Sequence, residues 1–586
     1  MDAEYPQPIA LLFHIPGGNV SHAQPARLSR RRRLVAVCTT GALALGALAL
    51  STTAQADNGP QLHRVTRPTA PASAQPTLTL PKKKVGQFST TAAAAPLRYD
   101  PDGDGYPDEL YRGNSRHYFN SLATKNVDLG ASSSGVLYKD VITPGDLDGQ
   151  AGPEILALTG SGQLSLFNAS SFPNGGPLWT GTGWYVYNKI VATDDITGDG
   201  KADIVARTPD GQLYLYEGTG NASAPFKGKA LIGPGWNQYD QLTSPGDMNG
   251  DGVSDLIARD TKGNLYFYAG TGKASGPYAG RVAIGSGWNA YNQLISIGDG
   301  DVFARTVNGD LYYYKPNGVG GFAPKLKSGT DWNVELFANS GSNPQFGKKE
   351  LYGLSTGGTL YWYYTNNNGT LAARQQVSDA GGWKGYTTFG FANSLNDEGY
   401  ADLLFREGTN LYNLELAGNS PIATGWGGYN IYLGPGDLNG DGKGDLLARD
   451  TKGNLYLYRG QGTGTALTGR LLVGPGWNAY NAIVGGGDLT GDGRADIVAR
   501  GTDGTLWLYK GTGISTRPFQ SKVKIGPGWN RYNKLASPGD MDGDGRADLV
   551  GVDGNGNLYS YSSTGTGSFK TAVKQGPGWN GYSRLF

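Results

Sequence analysis

The chain has 586 residues, with 50 Lys+Arg against 49 Asp+Glu and a formal net charge of +1. That balance is uneven: residues 1–96 carry 10 basic and 3 acidic side chains, which leaves 40 and 46 for the rest, a net of −6 without basic clusters, and argues against nucleic acid as a partner. With 95 Gly and 35 Tyr, and few of the Leu, Ala, Glu and Lys runs that build helices, the composition predicts an all-β protein of short strands and tight turns.

Arg30 to Arg33, the apolar run Leu34 to Leu50 and the small-residue site Ala54-Gln55-Ala56 read as a secretory signal peptide, so residues 1–56 are taken as signal with an N-terminal extension and the mature protein is expected to be secreted. The apolar run is short for a membrane span of about 20 residues, and no second one follows, so no membrane span is expected after cleavage. The only cysteine, Cys38, lies inside the signal, so a mature chain would rely on packing and metal rather than disulfides. Residues 57–96 are rich in Pro, Ala and Thr and have no apolar period, the composition of a disordered linker.

From residue 97 to 586 one pattern recurs, seen most fully in SPGDMNGDGVSDLIARDTKGNLYFYAGTG from Ser244 to Gly272. Asp247, Asn249, Asp251 and Asp255 occupy loop positions 1, 3, 5 and 9, with glycines at 250 and 252 that let the backbone curl, a set of hard oxygen ligands suited to Ca²⁺. Asp255 to Arg259 then reads as a strand, Asp260 to Gly263 as a hairpin turn, and Asn264 to Tyr268 as a second strand with bulky residues on both faces. A strand covered on both faces implies sheets stacked on sheets.

The second landmark is Gly-Trp with a downstream tyrosine, at Trp184, Trp236, Trp288, Trp332, Trp383, Trp426, Trp477, Trp529 and Trp579. Their spacings of 43 to 52 residues suit four-stranded propeller blades. Ten units begin near residues 100, 146, 195, 247, 299, 342, 394, 437, 488 and 540. The first starts at its loop, whereas the chain ends on the opening strand of a further unit, Tyr582 to Phe586, so a β-propeller closed by its C-terminal strand is expected. Ten blades exceed the usual ring, and the sequence leaves open one ring or two successive rings of five, the first closed by the strand after Trp332.

The full calcium-type loops are Asp100/Asp102/Asp104/Asp108, Asp247/Asn249/Asp251/Asp255, Asp437/Asn439/Asp441/Asp445 and Asp540/Asp542/Asp544/Asp548. Two more, Asp195/Asp199/Asp203 and Asp488/Asp492/Asp496, have threonine at position 3. Clustered carboxylates repel one another unless a cation lies between them, which favours Ca²⁺ over a bare turn. Asp146/Asp148/Gln150/Glu154 reads as degraded, and the units near 299, 342 and 394 have lost most ligands. The loops run into strands and lack the twelfth-position Glu of an EF-hand.

These loops and strands, as in DLNGDGKGDLLARDTKGNLYLY from Asp437, resemble the VCBS/FG-GAP repeats of secreted bacterial proteins and of the integrin α-subunit propeller. The Gly-x-Gly-Trp-Asn-x-Tyr element is similar to blades of tachylectin-2-type propeller lectins, and that likeness implies a glycan or cell-surface ligand. An aromatic ring with amide and hydroxyl neighbours suits a sugar, and Trp236/Asn237/Tyr239, Trp477/Asn478/Tyr480 and Trp529/Asn530/Tyr532 offer that set, although an aromatic in every unit is also what core packing needs. Recurring Arg207, Arg259, Arg305, Arg449 and Arg500 are expected to pair with carboxylates. The only histidine beyond residue 63 is His117, so a Ser-His-Asp triad would depend on it. A non-catalytic carbohydrate-binding module is the reading, with a protein-binding adhesion scaffold and a polysaccharide-cleaving enzyme as alternatives.

Overall fold

The computed structural model describes residues 75–80, 97–121, 125–150, 152–386, 388–414 and 421–586. All belong to the compact unit spanning residues 61–586, and the signal-peptide reading lies outside them. They form antiparallel sheets joined by turns and single 3-10 turns, with no helix long and apolar enough to cross a membrane.

The unit around Ser244 shows how the sequence builds a sheet. Its four strands run Tyr239–Gly246, Asp255–Asp260, Leu265–Tyr268 and Val282–Gly285, hydrogen-bonded in that order. Between the first two strands the acidic loop turns through Gly250 (φ 83°) and Gly252 (φ 85°), left-handed positions that a side chain would strain. Asp255 to Arg259 are buried because other sheets cover both faces, whereas the third strand alternates buried Leu265 and Phe267 with half-buried Tyr266 and Tyr268. The fourth strand is mostly exposed and forms the rim. Gly235, at φ 90°, lets the chain swing into the 3-10 turn Trp236–Gln238 that opens the unit's first strand.

Repetition of this plan gives ten sheets among the described residues, a three-stranded and a four-stranded one being joined into a seven-stranded assembly through a parallel pair, Ala392 with Gly434. Two sheets borrow their first strand from far along the chain. Leu336–Phe337 pairs with Tyr111 and Arg112 in the first sheet, and Tyr582–Leu585 pairs with Gly353 to Ser355 in the sheet that begins at Glu350.

Ten apolar clusters lie between neighbouring sheets. Most join units adjacent in sequence, as when Leu213 and Leu215 meet Trp236, Tyr239 and Leu256. Two do not. Tyr111 and Tyr118 pack with Phe303, Leu311 and Trp332, so the first sheet meets the fifth; Leu351 and Tyr363 pack with Val550, Val552 and Trp579, so the sixth meets the tenth.

Two features depart from the sequence reading. Residues 75–80, placed there in the disordered linker, contain a strand, Thr77–Leu78, that extends the fifth sheet by pairing with Gly329 and Thr330. Trp332 Nε1 donates to the Thr77 carbonyl at 2.7 Å, and Leu78 and Leu80 join the cluster around Trp332, so an otherwise free sheet edge is covered. Arg98, 3% exposed, makes an ion pair with Asp194 and donates to the Ser244 carbonyl (2.9 Å) and the Ser296 hydroxyl (3.0 Å), tying the first strands of three successive sheets together.

Candidate functional site

In the full acidic loops the first aspartate accepts backbone N–H groups from the loop's own glycines: Asp247 from Gly250 (2.7 Å) and Gly252 (2.8 Å), Asp437 from Gly440 and Gly442 (both 2.7 Å). The ninth residue faces inward, Asp255 accepting from Met248 and Gly270 and Asp445 from Leu438 and Gly460. These bonds preshape the loop and hold its carboxylates close together.

Three acidic triplets have ligand atoms within 4.8 Å of one another: Asp100/Asp102/Asp108, Asp146/Asp148/Glu154 and Asp540/Asp542/Asp544. The middle one belongs to the loop that the sequence marks as degraded; Glu154 still reaches the site because its longer side chain occupies the ninth position. The first shows what such a cluster lacks. Asp108 is 4% exposed, both of its oxygens are without a hydrogen-bond partner among the described residues, and the nearby Ser121 hydroxyl is turned to Asp102. Burial, then the charges of Asp102 and Asp104, push the Asp108 carboxyl up to about 9. Asp445 is pushed to about 8 by burial and then Asp437, and Asp255 to about 6 by burial despite its two backbone donors. A cation among these oxygens would supply the missing partner and relieve the repulsion, so the donor set fits a hard, oxygen-preferring metal.

Asp199, Asn439 and Asp441, all expected as ligands, are turned to neighbouring protein groups. Asp199, at position 5 of the loop that opens at Asp195, is exposed; one of its oxygens faces the Lys227 ammonium at 3.5 Å and the other accepts the Lys201 backbone N–H at 3.1 Å. It is drawn outward because an ammonium in solvent reach competes with the loop interior for its charge. Asn439 presents its amide nitrogen to the site rather than the ligating oxygen, donating to Asp441 at 3.1 Å and to Asp445 at 3.2 Å. Asp441 is thereby held by that amide, while its second oxygen accepts the Lys443 backbone N–H at 3.0 Å. An amide N–H between two carboxylates offsets part of their repulsion, which is the physical reason for this orientation. The same bond joins Asn249 to Asp251 at 2.9 Å. Asp199, Asn439 and Asp441 are therefore engaged with neighbouring protein groups.

The fourth full loop sits in a different setting. Asp540, Asp542, Asp544 and Asp548 are all buried, and the loop carbonyls of Asp542 and Gly543 accept from Arg305 at 3.2 and 2.6 Å. Asn292 also donates to the Asp542 carbonyl, and Arg546 pairs with both Asp544 and Asp240. The loop thereby joins two groups of sheets.

In the Gly-Trp elements, Trp236, Trp477 and Trp529 are 6 to 8% exposed, and Tyr239, Tyr480 and Tyr532 are also buried, while Asn237, Asn478 and Asn530 are exposed. Trp236 lies 4.8 Å from the Tyr268 ring, Trp477 4.8 Å from Tyr509 and Trp529 4.8 Å from Tyr561, so these indole faces meet protein. Asn478 and Asn530 donate to the carbonyls of Thr451 and Thr502, closing the hairpin beneath them. The motif's rings thus fill the space between sheets and its asparagine faces solvent.

Beside these turns the structure places a feature that the sequence reading did not single out. Arg281 lies over Tyr266 (4.6 Å) and donates to the Tyr239 hydroxyl at 2.7 Å. Lys325 does the same with Tyr312 (4.5 Å) and Tyr291 (2.7 Å), and Lys522 with Trp507 (4.4 Å) and Tyr480 (3.0 Å). The only signal for it in the sequence is a Lys or Arg immediately before the fourth strand of these units.

The recurring arginines mostly bind carbonyls. Arg259 pairs with Asp240 at 2.7 Å as expected, but Arg207, Arg259, Arg449 and Arg500 each also donate to the carbonyls of the next unit's tryptophan and tyrosine, because a buried guanidinium can satisfy several backbone acceptors at once. His117 is 1% exposed and edge-on to Phe172 at 4.9 Å, and burial pushes its imidazole down to about 3. It is a core residue.

A family model described as the FG-GAP-like repeat matches residues 195–258, 437–499 and 488–551, each match opening on the first aspartate of a loop. No curated protein matches the chain. Among solved structures, the chain is similar to the BP39L lectin from Burkholderia pseudomallei at 14% identity and TM-score 0.26, over 67% of this chain and 99% of that one. It is similar to an Agrocybe aegerita lectin, described as recognising non-reducing terminal N-acetylglucosamine, at 17% identity and TM-score 0.21, over 81% and 91%. A third similarity is to the computationally designed Ika8 protein, at 11% identity and TM-score 0.17, over 64% and 93%.

Proposed function

We propose that this chain is a secreted, calcium-binding protein of two successive five-bladed propeller rings that binds carbohydrate without catalysis. The ring reading is supported by the two long-range clusters: the first sheet meets the fifth and the sixth meets the tenth, each through a strand borrowed from the far end of its set. The calcium reading is supported by the hard-oxygen loops and by the partnerless buried Asp108. In that reading Asp100, Asp102 and Asp108, and the equivalent positions of the other loops, hold the ion, which ties the first two strands of a blade together. Asn439 joins its site by turning its carbonyl oxygen inward, which frees Asp441, and Asp199 joins by leaving Lys227.

The observation that carries the ligand reading is the repetition of one exposed donor arrangement on several sheets. The cations Arg281, Lys325 and Lys522 stand on aromatic rings beside the Gly-Trp turns, and the exposed amides Asn237, Asn289 and Asn478 lie in the same turns. A row of equivalent weak sites suits a polymer of repeated, hydroxyl-rich units, whose affinity rises by multivalency. The non-catalytic reading is supported by His117, which is 1% exposed and which burial keeps neutral.

A glycan array probed with the calcium-loaded protein tests this. Binding to polymeric glycans that weakens several-fold in Arg281→Ala and Lys522→Ala, with folding intact, supports the reading. A blank array together with capture of a discrete secreted protein would favour the adhesion alternative, and new reducing ends or unsaturated products on incubation with polysaccharide would favour the enzyme.

A further inference from the structure

Two of the three units whose loops depart most from the cation pattern do not merely lack a site: the loop from Ser342 keeps a carboxylate only at its ninth position, Glu350, and the loop from Ser394 has lost its first aspartate while Asn396, Glu398 and Asp402 keep oxygens at positions 3, 5 and 9. Aligned on their second strands, Glu350 and Asp402 stand where Asp255 closes the cation loop, so Phe346 replaces the position-5 aspartate of one loop and Tyr400 follows the position-6 glycine of the other. These two altered loops face each other across a cavity of about 300 Å³, completed by Trp362, Tyr364 and the Arg112 to Ser115 hairpin of the first sheet. That volume is on the order of ten waters, far beyond a packing defect, and at the lower end of ligand pockets.

The cavity's charges are compensated within its wall. Glu335, with its side chain 5% exposed, accepts from Arg112 Nε at 3.1 Å, from the Ser115 backbone N–H at 3.2 Å and from the Tyr364 hydroxyl. Burial works to raise the Glu335 carboxyl, but Arg112, Lys349 and Tyr364 outweigh it and keep it below the usual carboxylate range. Lys349 donates to the Glu335 carbonyl at 2.9 Å, and Glu350 accepts from the Lys349 backbone. Two cations and two acids cancel, which disfavours a strongly charged guest. What remains is a set of aromatic walls with hydroxyl, amide and ammonium groups at their edges, complementary to a ring with apolar C–H faces and a hydroxyl perimeter.

We propose that this cavity, built from the two converted loops, binds one neutral sugar ring per chain. It shares only the ligand's chemistry with the repeated rim, is separate from it in space, and differs in being a single recessed cavity lined by residues of several sheets. The converted loops thus take a ligand where their relatives would take a cation.

Isothermal titration with free glucose, galactose, mannose and N-acetylglucosamine, each at millimolar concentration, tests it on the full chain. The expected result is saturable binding of at least one of the four at one site per chain, weakened about tenfold or more by Phe346→Ala and by Lys349→Met with unchanged circular dichroism and melting, and unaffected by Arg281→Ala. Should Lys349→Met fail to fold, Tyr400→Phe, which removes only the hydroxyl bonded to Ser115 (3.0 Å), carries the comparison. Absence of saturable binding by all four sugars overturns the proposal, as do folded cavity variants that bind like the wild type. Several sites per chain, lost in Arg281→Ala, would overturn it too, while leaving the rim reading in place.

Discussion

Tyr582, four residues from the end of the chain, meets Tyr363 hydroxyl to hydroxyl at 2.5 Å across 219 residues of sequence. The same contact joins Tyr239 to Tyr268, Tyr429 to Tyr458, Tyr480 to Tyr509 and Tyr532 to Tyr561, each 29 residues apart within a single sheet. The terminal tyrosine therefore does for the sheet at Glu350 what a local first-strand tyrosine does elsewhere. Phe586 completes the seam, its ring 5.2 Å from Phe389 and its backbone exchanging hydrogen bonds with Tyr352.

Deleting Tyr582 to Phe586 is accordingly expected to lower stability severely, since it removes two buried aromatic side chains, each worth about 3–5 kcal/mol in a core, and uncovers a sheet edge. Tyr582→Phe, which removes only the hydroxyl, is expected to cost about 1 kcal/mol. Urea melts of the three proteins check the ordering. A truncated chain as stable as the full one would show that the terminal strand is an accessory.

The segment at Thr77–Leu78 makes a graded counterpart. Leu78→Asp places a charge against the Trp332 cluster, and the expected loss is about 2–4 kcal/mol. Trp332 fluorescence is masked by the other tryptophans, so the check is the denaturation midpoint. Equal midpoints for Leu78→Asp and wild type would return residues 75–80 to the status of a linker.

Arg98 offers a second test of the same half of the molecule. Arg98→Met leaves the Ser244 carbonyl and the Ser296 hydroxyl without their guanidinium and Asp194 without its ion partner. Breaking a buried pair in this way typically costs about 3–5 kcal/mol; Asp194 is partly exposed, so a loss of about 2–3 kcal/mol is expected, read from chemical denaturation. A loss under about half a kcal/mol would mean that water replaces the guanidinium freely.

The all-β class, the loop positions and the second and third strands were legible because each rests on local chemistry. Asp247, Gly250 and Asp255 specify a turn on their own, and Leu265 to Tyr268 alternate as a strand must. Which way each loop side chain points was less legible: Asn439 has a donor and an acceptor at the same reach, and Asp199 answers to a lysine 28 residues away in sequence. The roles of Trp236 and Tyr239 were ambiguous, since a recurring aromatic satisfies both a core and a sugar platform, and only the position of Tyr268 against the indole decides which faces are covered. The strand at Thr77 was illegible because its stability comes from a pre-existing edge and from Trp332, neither of which leaves a mark on a Pro- and Thr-rich sequence. The cavity beneath Phe346 and Tyr400 left its mark only as departures from the cation pattern, Ser342, Phe346 and Ser394 standing where aspartates recur, which read as decay until the two loops are seen to face each other.

The last prediction concerns pH. Asp108 is raised to about 9, Asp445 to about 8, Asp203 to about 7 and Asp255 to about 6, in each case first by burial, against an unfolded value near 4. Without metal, the native state between about pH 4 and 9 holds protons that the unfolded chain has released, so stability is present at low pH and is lost as pH rises through that window. Under the proposed calcium binding the sign is expected to reverse. A bound ion requires the carboxylates deprotonated, drives their folded values below the unfolded ones, and adds stability that grows with pH as proton competition fades. Melting temperatures in chelator should therefore fall from pH 5 to pH 9 while those in calcium hold or rise, and the gap between the two curves should widen steadily. Asp108→Asn isolates one site: it removes the charge that burial penalises, so it should raise the chelated melting temperature at pH 8 yet remove one equivalent of calcium uptake in titration. Parallel curves in calcium and chelator across the whole range would mean that the acidic loops fold as bare turns and that the partnerless oxygens of Asp108 are satisfied by a proton alone.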